Sequence, residues 1–128
     1  DKAVLKSKTK IYDFSWTEDE VRRISVRPII KGVVSDMGKG ADATYISTKF
    51  HLTLIRLFSE ICKTIRAENE LNNVVLSGGV FQNSILLKGI IGELEKNNFK
   101  IFTHKNVPAN DGGLSLGQAV VAAAIAER

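Results

Sequence analysis

The sequence predicts an α/β fold with an incomplete sheet whose strands are joined by crossover helices. Three observations carry this expectation. Residues 41–127 alternate helix, strand, helix, strand, helix, a rhythm that builds parallel sheets. The run Val74-Val75-Leu76 is apolar and β-branched without alternation, as in a strand buried on both faces. Two strand-to-helix junctions, Ser77-Gly78-Gly79 and Asn110-Asp111-Gly112-Gly113, carry the same glycine pair at the same place in the rhythm.

The elements follow in order. Residues 9–15 alternate, with Tyr12, Phe14 and Trp16 on one side, so a strand is expected there. Residues 22–26 are its hairpin partner across the turn-prone Thr17-Glu18-Asp19-Glu20. Pro28 suits a first helical turn, because its missing N–H costs nothing there. A short helix should then run to Met37 and stop at Gly38 and Gly40.

The clearest helix follows. Ala43, Ile46, Phe50, Leu54, Leu57, Phe58, Ile61 and Ile65 hold i, i+3, i+4, i+7 spacing, and Asp42 can cap the start. It should end near Glu68. After the strand 74–76, a helix is expected over 82–96 with Leu86, Leu87, Ile90, Ile91 and Leu94 inward. Asn97-Asn98 ends it, since Asn tolerates the left-handed conformation. Residues 99–104 read as a strand and 112–126 as a last helix. The alanines of that helix (Ala119, Ala122, Ala123, Ala124, Ala126) predict close packing on the sheet. Residues 1–40 thus form a leading hairpin and short helix, and residues 41–128 an α/β sublobe, within one domain.

Composition narrows the function classes. The chain has 128 residues, 18 Lys+Arg against 14 Asp+Glu, 44% hydrophobic residues and one cysteine, Cys62. A lone thiol forms neither an internal disulfide nor a cysteine-rich zinc site. No run of ~18 apolar residues appears, so no membrane span is expected, and a cytoplasmic location is the default. The net charge of +4 has its excess in residues 1–31, with eight basic and five acidic residues. No basic stripe with interleaved aromatics exists, so nucleic acid is not an expected partner. The only methionine is Met37, and two or three strands leave a sheet uncovered, so the chain reads as a piece of something longer.

Candidate chemistry sits at the two junctions. In open α/β sheets, ligands bind outside the carboxyl ends of the strands. A glycine pair there lets backbone approach a ligand and turns N–H groups toward an anion, or it is only a tight turn. Asp111 can cap the following helix or hold a hard cation that bridges to phosphate. Asn83 and Asn110 can cap helices or bind a ligand. His51 flanks the stripe of the long helix as a half-buried packing residue, and His104 ends a strand, either exposed or near the ligand edge. The two do not have metal-ligand spacing. Ser77 lacks the Gly-x-Ser-x-Gly pattern of a nucleophile elbow, and Cys62 reads as a buried, inert thiol. No residue is assigned a catalytic role.

The string Val75-Leu76-Ser77-Gly78-Gly79-Val80-Phe81-Gln82-Asn83, with Val107-Pro108-Ala109-Asn110-Asp111-Gly112-Gly113-Leu114-Ser115-Leu116-Gly117-Gln118-Ala119 after it, resembles the C-terminal end of the HypF carbamoyltransferases of [NiFe]-hydrogenase maturation. Phe50-His51 and the stretch from Pro28 to Asp36 share the resemblance, which covers residues 11–127. Looser versions occur in O-carbamoyltransferases and tRNA threonylcarbamoyl transferases.

The resemblance implies the C-terminal lobe of an ATPase domain of the actin, sugar-kinase and chaperone type, with a ribonuclease H-like fold. It implies that carbamoyl adenylate, made from carbamoyl phosphate and ATP in another domain, gives its carbamoyl group to the C-terminal cysteine of HypE. Acylphosphatase-like, zinc-finger and YrdC-like parts would belong to the remainder of the chain. Gly78 and Gly79 match the adenosine and phosphate loop, with Asn83 opening the helix beneath it. Ser77, Asn110, Gly112 and Gly113 complete the implied nucleotide-binding set. Asp111 matches a carboxylate that holds a divalent metal (Mg, Zn or Fe) together with two histidines of an upstream His-x-x-x-His motif. That motif is not in this sequence.

Overall fold

In this computed structural model the structure describes residues 10–17 and 21–127. An antiparallel hairpin comes first: β1 (Ser15–Trp16) pairs with β2 (Ile24–Ser25), Ser15 opposite Ser25 and Trp16 opposite Ile24. It is shorter than the sequence predicts. Tyr12 leaves the strand because its backbone N–H donates to Thr53 Oγ1 at 2.9 Å instead of to a neighbouring strand. Thr9 and the turn residues Glu18, Asp19 and Glu20 lie outside the described residues.

Helix α1 (Arg27–Gly38) has Pro28 in its first turn. Gly40, at φ +72°, ends it: its N–H donates to Met37 O and that of Ala41 to Asp36 O. Those two bonds are the Schellman pattern, which places a left-handed residue just past the helix. Helix α2 (Ala43–Asn69) starts where Asp42 Oδ1 accepts the N–H groups of Thr44 and Tyr45. It ends one residue past the expected place, on Glu70 at φ 57°.

Helix α2 serves two cores. Tyr12, Ile29 and Leu57 form one, flanked by the stacked rings of Phe14 and Trp16, 6.1 Å apart. Ile55, Leu76, Leu86, Ile90, Leu94 and Phe99 form the other. The second core joins α2 to β3 (Asn73–Leu76), α3 (Ser84–Lys96) and β4 (Lys100–Thr103). Gly89 makes the close approach possible, since a Cβ there would collide with Ile55 Cδ1. Strands β3 and β4 are parallel, with Val74 opposite Ile101 and Val75 opposite Phe102. This is the expected crossover unit, with strands expected at 74–76 and 99–104 found at Asn73–Leu76 and Lys100–Thr103.

Two expectations change. The sheet is covered on one face only: Leu76 is buried, but Val75 is 71% exposed and Phe102 exposed beside it. The apolar run is therefore two-sided in chemistry and one-sided in packing. The last helix, α4 (Leu114–Ala126), does not bury its alanines on the sheet. Every described residue of α4 is exposed: its apolar residues surround the helix without one stripe aimed at this core, and no described element covers them.

Candidate functional site

The site is built from the carboxyl ends of β3 and β4. The backbone after β3 turns at Gly78, whose φ of +108° and ψ of 156° belong to a region nearly restricted to glycine. A 3-10 turn (Gly79–Gln82) follows, and Asn83 then caps α3. Helix α3 therefore begins two residues later than the sequence predicts. Asn83 Oδ1 accepts the N–H groups of Ile85 and Leu86, both at 3.1 Å, and fixes that start.

The second junction is capped by its asparagine. Asn110 Oδ1 accepts Gly112 N–H at 3.0 Å and begins a 3-10 turn (Asp111–Gly113) that leads into α4. Of the two alternatives for Asp111, capping falls to its neighbour Asn110, and the Asp111 carboxylate is exposed. Gly113 is needed for space, because a Cβ there would stand 2.9 Å from Pro108 O.

The junctions touch each other. Gly78 N–H donates to Ala109 O at 2.8 Å, and Ser77 Oγ shares a 2.8 Å hydrogen bond with His104 Nε2. Between them and α4 lies a cleft of about 640 Å³. Ser77, Gly78, His104, Asn110, Asp111 and Gly113 line its polar end. Leu114, Val121, Ala122 and Ile125 of α4 make an apolar wall. Ser77, Gly78, Asn110, Asp111 and Gly113 are thus brought together, whereas Gly79, Asn83 and Gly112 lie outside the lining.

The glycine amides are less available than the sequence implies. Gly78 spends its N–H on Ala109 O, Gly112 on Asn110 Oδ1 and Gly113 on Asn110 O. Gly78 and Gly113, the two junction glycines that line the cleft, thus give their N–H groups to the fold and not to a ligand. Asn83 is likewise engaged within the fold: its Nδ2 lies 2.9 Å from His51 Nε2. His104 was placed by sequence only as exposed or near the ligand edge, and its pairing with Ser77 needs the parallel register. His51 is half-buried as expected, but polar contacts at both ring nitrogens hold it. Cys62 borders the second core, and burial raises its thiol pKa, which disfavours the thiolate.

A metal finds few partners here. Among the described residues no group of three or more His, Cys, Asp or Glu side chains could hold an ion. Asp111 offers one exposed carboxylate, and the Nε2 of His104, on the same cleft, is engaged with Ser77. These residues do not by themselves fit a metal.

Comparison with known proteins now gives the class. The profile described as "Carbamoyltransferase, Kae1-like Domain, second subdomain" matches residues 1–118. The carbamoyltransferase HypF of Synechocystis sp. is 35% identical over 92 residues, covering 72% of this chain and 11% of that protein. The crystal structure of full-length HypF in the phosphate- and nucleotide-bound form superposes with a TM-score of 0.90 at 36% identity, over 99% of this chain and 17% of that one. Crystalline HypF of T. kodakarensis gives a TM-score of 0.77 at 28% identity, over 97% of this chain and 16% of that one.

The chain belongs to the HypF carbamoyltransferase family, and its α/β fold is that of HypF. It spans 9–23% of the length of the curated relatives it matches. No described helix is long and apolar enough to cross a membrane.

Proposed function

We propose that this chain is the nucleotide-binding part of a HypF-type carbamoyltransferase, inactive by itself. The observation that carries the reading is the cleft at the carboxyl ends of β3 and β4, closed by the Gly78–Ala109 hydrogen bond. Its apolar α4 wall and polar junction end suit a ligand with a base at one end and phosphate at the other. The relative solved with phosphate and nucleotide bound lends further support.

In this reading the cleft takes ATP or carbamoyl adenylate derived from carbamoyl phosphate. The carbamoyl carbon is attacked by the C-terminal cysteine thiolate of HypE, a bond forms from sulfur to carbon, and AMP leaves with the electron pair of the broken C–O bond. Ser77, Gly78, Asn110 and Gly113 border the ligand, and Gly79, Asn83 and Gly112 hold the bordering turns in shape. Asp111 would supply one carboxylate to a divalent metal (Mg, Zn or Fe) whose other ligands would have to come from the rest of the HypF chain.

The larger ATPase domain is part of the same proposal. An α4 that is apolar all round is the mark of a helix meant to be buried, and the open sheet face at Val75 and Phe102 needs a cover as well. Both fit a lobe of the actin and sugar-kinase type whose other elements come from the remainder of the protein. Residues 1–40 would then be its leading segment and residues 41–128 its nucleotide-binding sublobe, in a cytoplasmic enzyme.

The test is product analysis with the full-length protein and three acceptors: HypE, a sugar hydroxyl and tRNA. Transfer to HypE alone is expected. Transfer only to the hydroxyl or to tRNA would instead make this an O-carbamoyl or threonylcarbamoyl transferase. Asp111→Ala should abolish transfer without unfolding, since an exposed side chain away from the core changes stability by only about 0.5 kcal/mol. Near-normal transfer by this variant would remove the assigned role. If Gly78→Ala costs stability yet leaves ATP affinity intact, the chain is a docking lobe without a catalytic part.

A further inference from the structure

We infer that His51 is a positioning residue for the nucleotide-binding turn, acting through Asn83 and not through contact with ligand. The inference rests on the nucleotide-binding reading above, and its geometry stands independently of it.

The hydrogen bonds leave one arrangement of protons. His51 Nδ1 lies 2.8 Å from Ser47 O, one turn back on α2. A carbonyl oxygen only accepts, so Nδ1 carries the proton. Asn83 Oδ1 accepts two backbone N–H groups at the start of α3, so its amide nitrogen is the end that faces His51. At 2.9 Å, Asn83 Nδ2 donates to His51 Nε2, which must therefore hold a lone pair. The imidazole is neutral, in the Nδ1–H form, and relays α2 to the first turn of α3.

That relay fixes the turn at its far end. Between Gly78 and Asn83 the backbone is tied internally: Phe81 N–H donates to Gly78 O and Asn83 N–H to Val80 O, both at 3.1 Å. At its near end Gly78 N–H holds Ala109 O. The six residues form a short rigid strap with two anchors, and one anchor is His51. The edge of the T-shaped Phe50–His51 ring pair, with centroids 6.2 Å apart, helps set the imidazole plane. A free asparagine could cap α3 equally well, so the His51 contact adds placement, not helix formation.

Two polar substitutions separate the roles of the ring nitrogens. His51→Gln reaches the position of Nε2 and can present an accepting oxygen to Asn83. His51→Asn reaches only the position of Nδ1 and keeps the bond to Ser47 O. In the full-length protein, hydrogen exchange over residues 77–83 and ATP affinity are measured for both. His51→Asn should speed exchange there and weaken ATP binding by about tenfold each, the cost of one hydrogen bond, with exchange in α2 unchanged. His51→Gln should restore both to within about threefold of the parent, a residual smaller than one hydrogen bond. Equal behaviour of the two variants, or exchange unaltered in both, would overturn the inference. If the parent protein itself does not bind ATP, the nucleotide reading fails, and the exchange data alone still decide the role of His51.

Discussion

Gly78 and Ala109 are joined by a 2.8 Å backbone hydrogen bond, although 31 residues separate them in the chain. The bond ties the turn after β3 to the turn after β4. It makes two junctions that look alike in sequence into one cleft. The parallel register brings this about by placing Leu76 beside Thr103, so both strands end level.

Gly78→Ala should be costly for conformational reasons alone. No atom lies within 4 Å of the Cβ it would add, but φ +108° disfavours any side chain. A loss of about 1–3 kcal/mol is expected from forcing that backbone region. Thermal unfolding of the full-length variant measures it, and ATP affinity should fall with it. A melt like that of the parent would show that the turn relaxes freely.

The α2–α3 contact offers a cleaner packing test. Gly89→Ala should destabilise by about 1–3 kcal/mol through its clash with Ile55 Cδ1. Ile55→Val deletes that methyl and should cost about 0.5–1.5 kcal/mol alone. The double variant should be more stable than the sum implies, by about 1 kcal/mol. Urea unfolding of the four proteins completes the cycle, and strict additivity would deny the contact.

Much of this was legible in sequence. The Asp42 cap and the inward leucines of α3 each rest on local spacing, and both hold. The stripe of α2 holds in part: Leu57 is buried and Phe50, Leu54 and Ile61 pack on the cores, but Phe58 and Ile65 are exposed while Thr53, Ile55 and Ser59 are buried, because α2 packs on two cores instead of one. The delayed start of α3 was not legible, because it depends on Gly78 taking a glycine-only conformation and on the 3-10 turn that follows, which leaves Asn83 as the cap. The exposure of α4 was hidden for another reason. Small residues permit close packing, but they do not say against what. At the site, the junction strings marked the right place. The bond from Gly78 N–H to Ala109 O could be seen only once the two turns met, whereas Gly112 and Gly113 donate to Asn110 within their own turn.

Stability should depend on pH at both ends through one cluster. The Lys49 ammonium, 2.9 Å from Asp36 Oδ2, holds that carboxyl below its usual 3.8, and the Tyr12 hydroxyl adds a second bond at 3.0 Å. A lowered carboxyl pKa stabilises the fold above its unfolded value, and that stability is lost as pH falls through the folded value. Burial, with Asp36 next, pushes the Tyr12 hydroxyl up to about 12 from 10.0. Its contribution is full below 10.0 and is lost as pH rises toward about 12. Tyr12→Phe should flatten the alkaline limb, and Lys49→Met the acid limb, of the unfolding midpoint plotted against pH. An alkaline limb unchanged by Tyr12→Phe would place its cause elsewhere.

The central claim is that the two joined turns form a nucleotide cleft. Hydrogen exchange of the full-length protein, with and without ATP and magnesium, tests it most directly. Protection confined to residues 77–83 and 109–114 within this chain is the predicted result. Unchanged exchange at both turns under saturating ATP would contradict it.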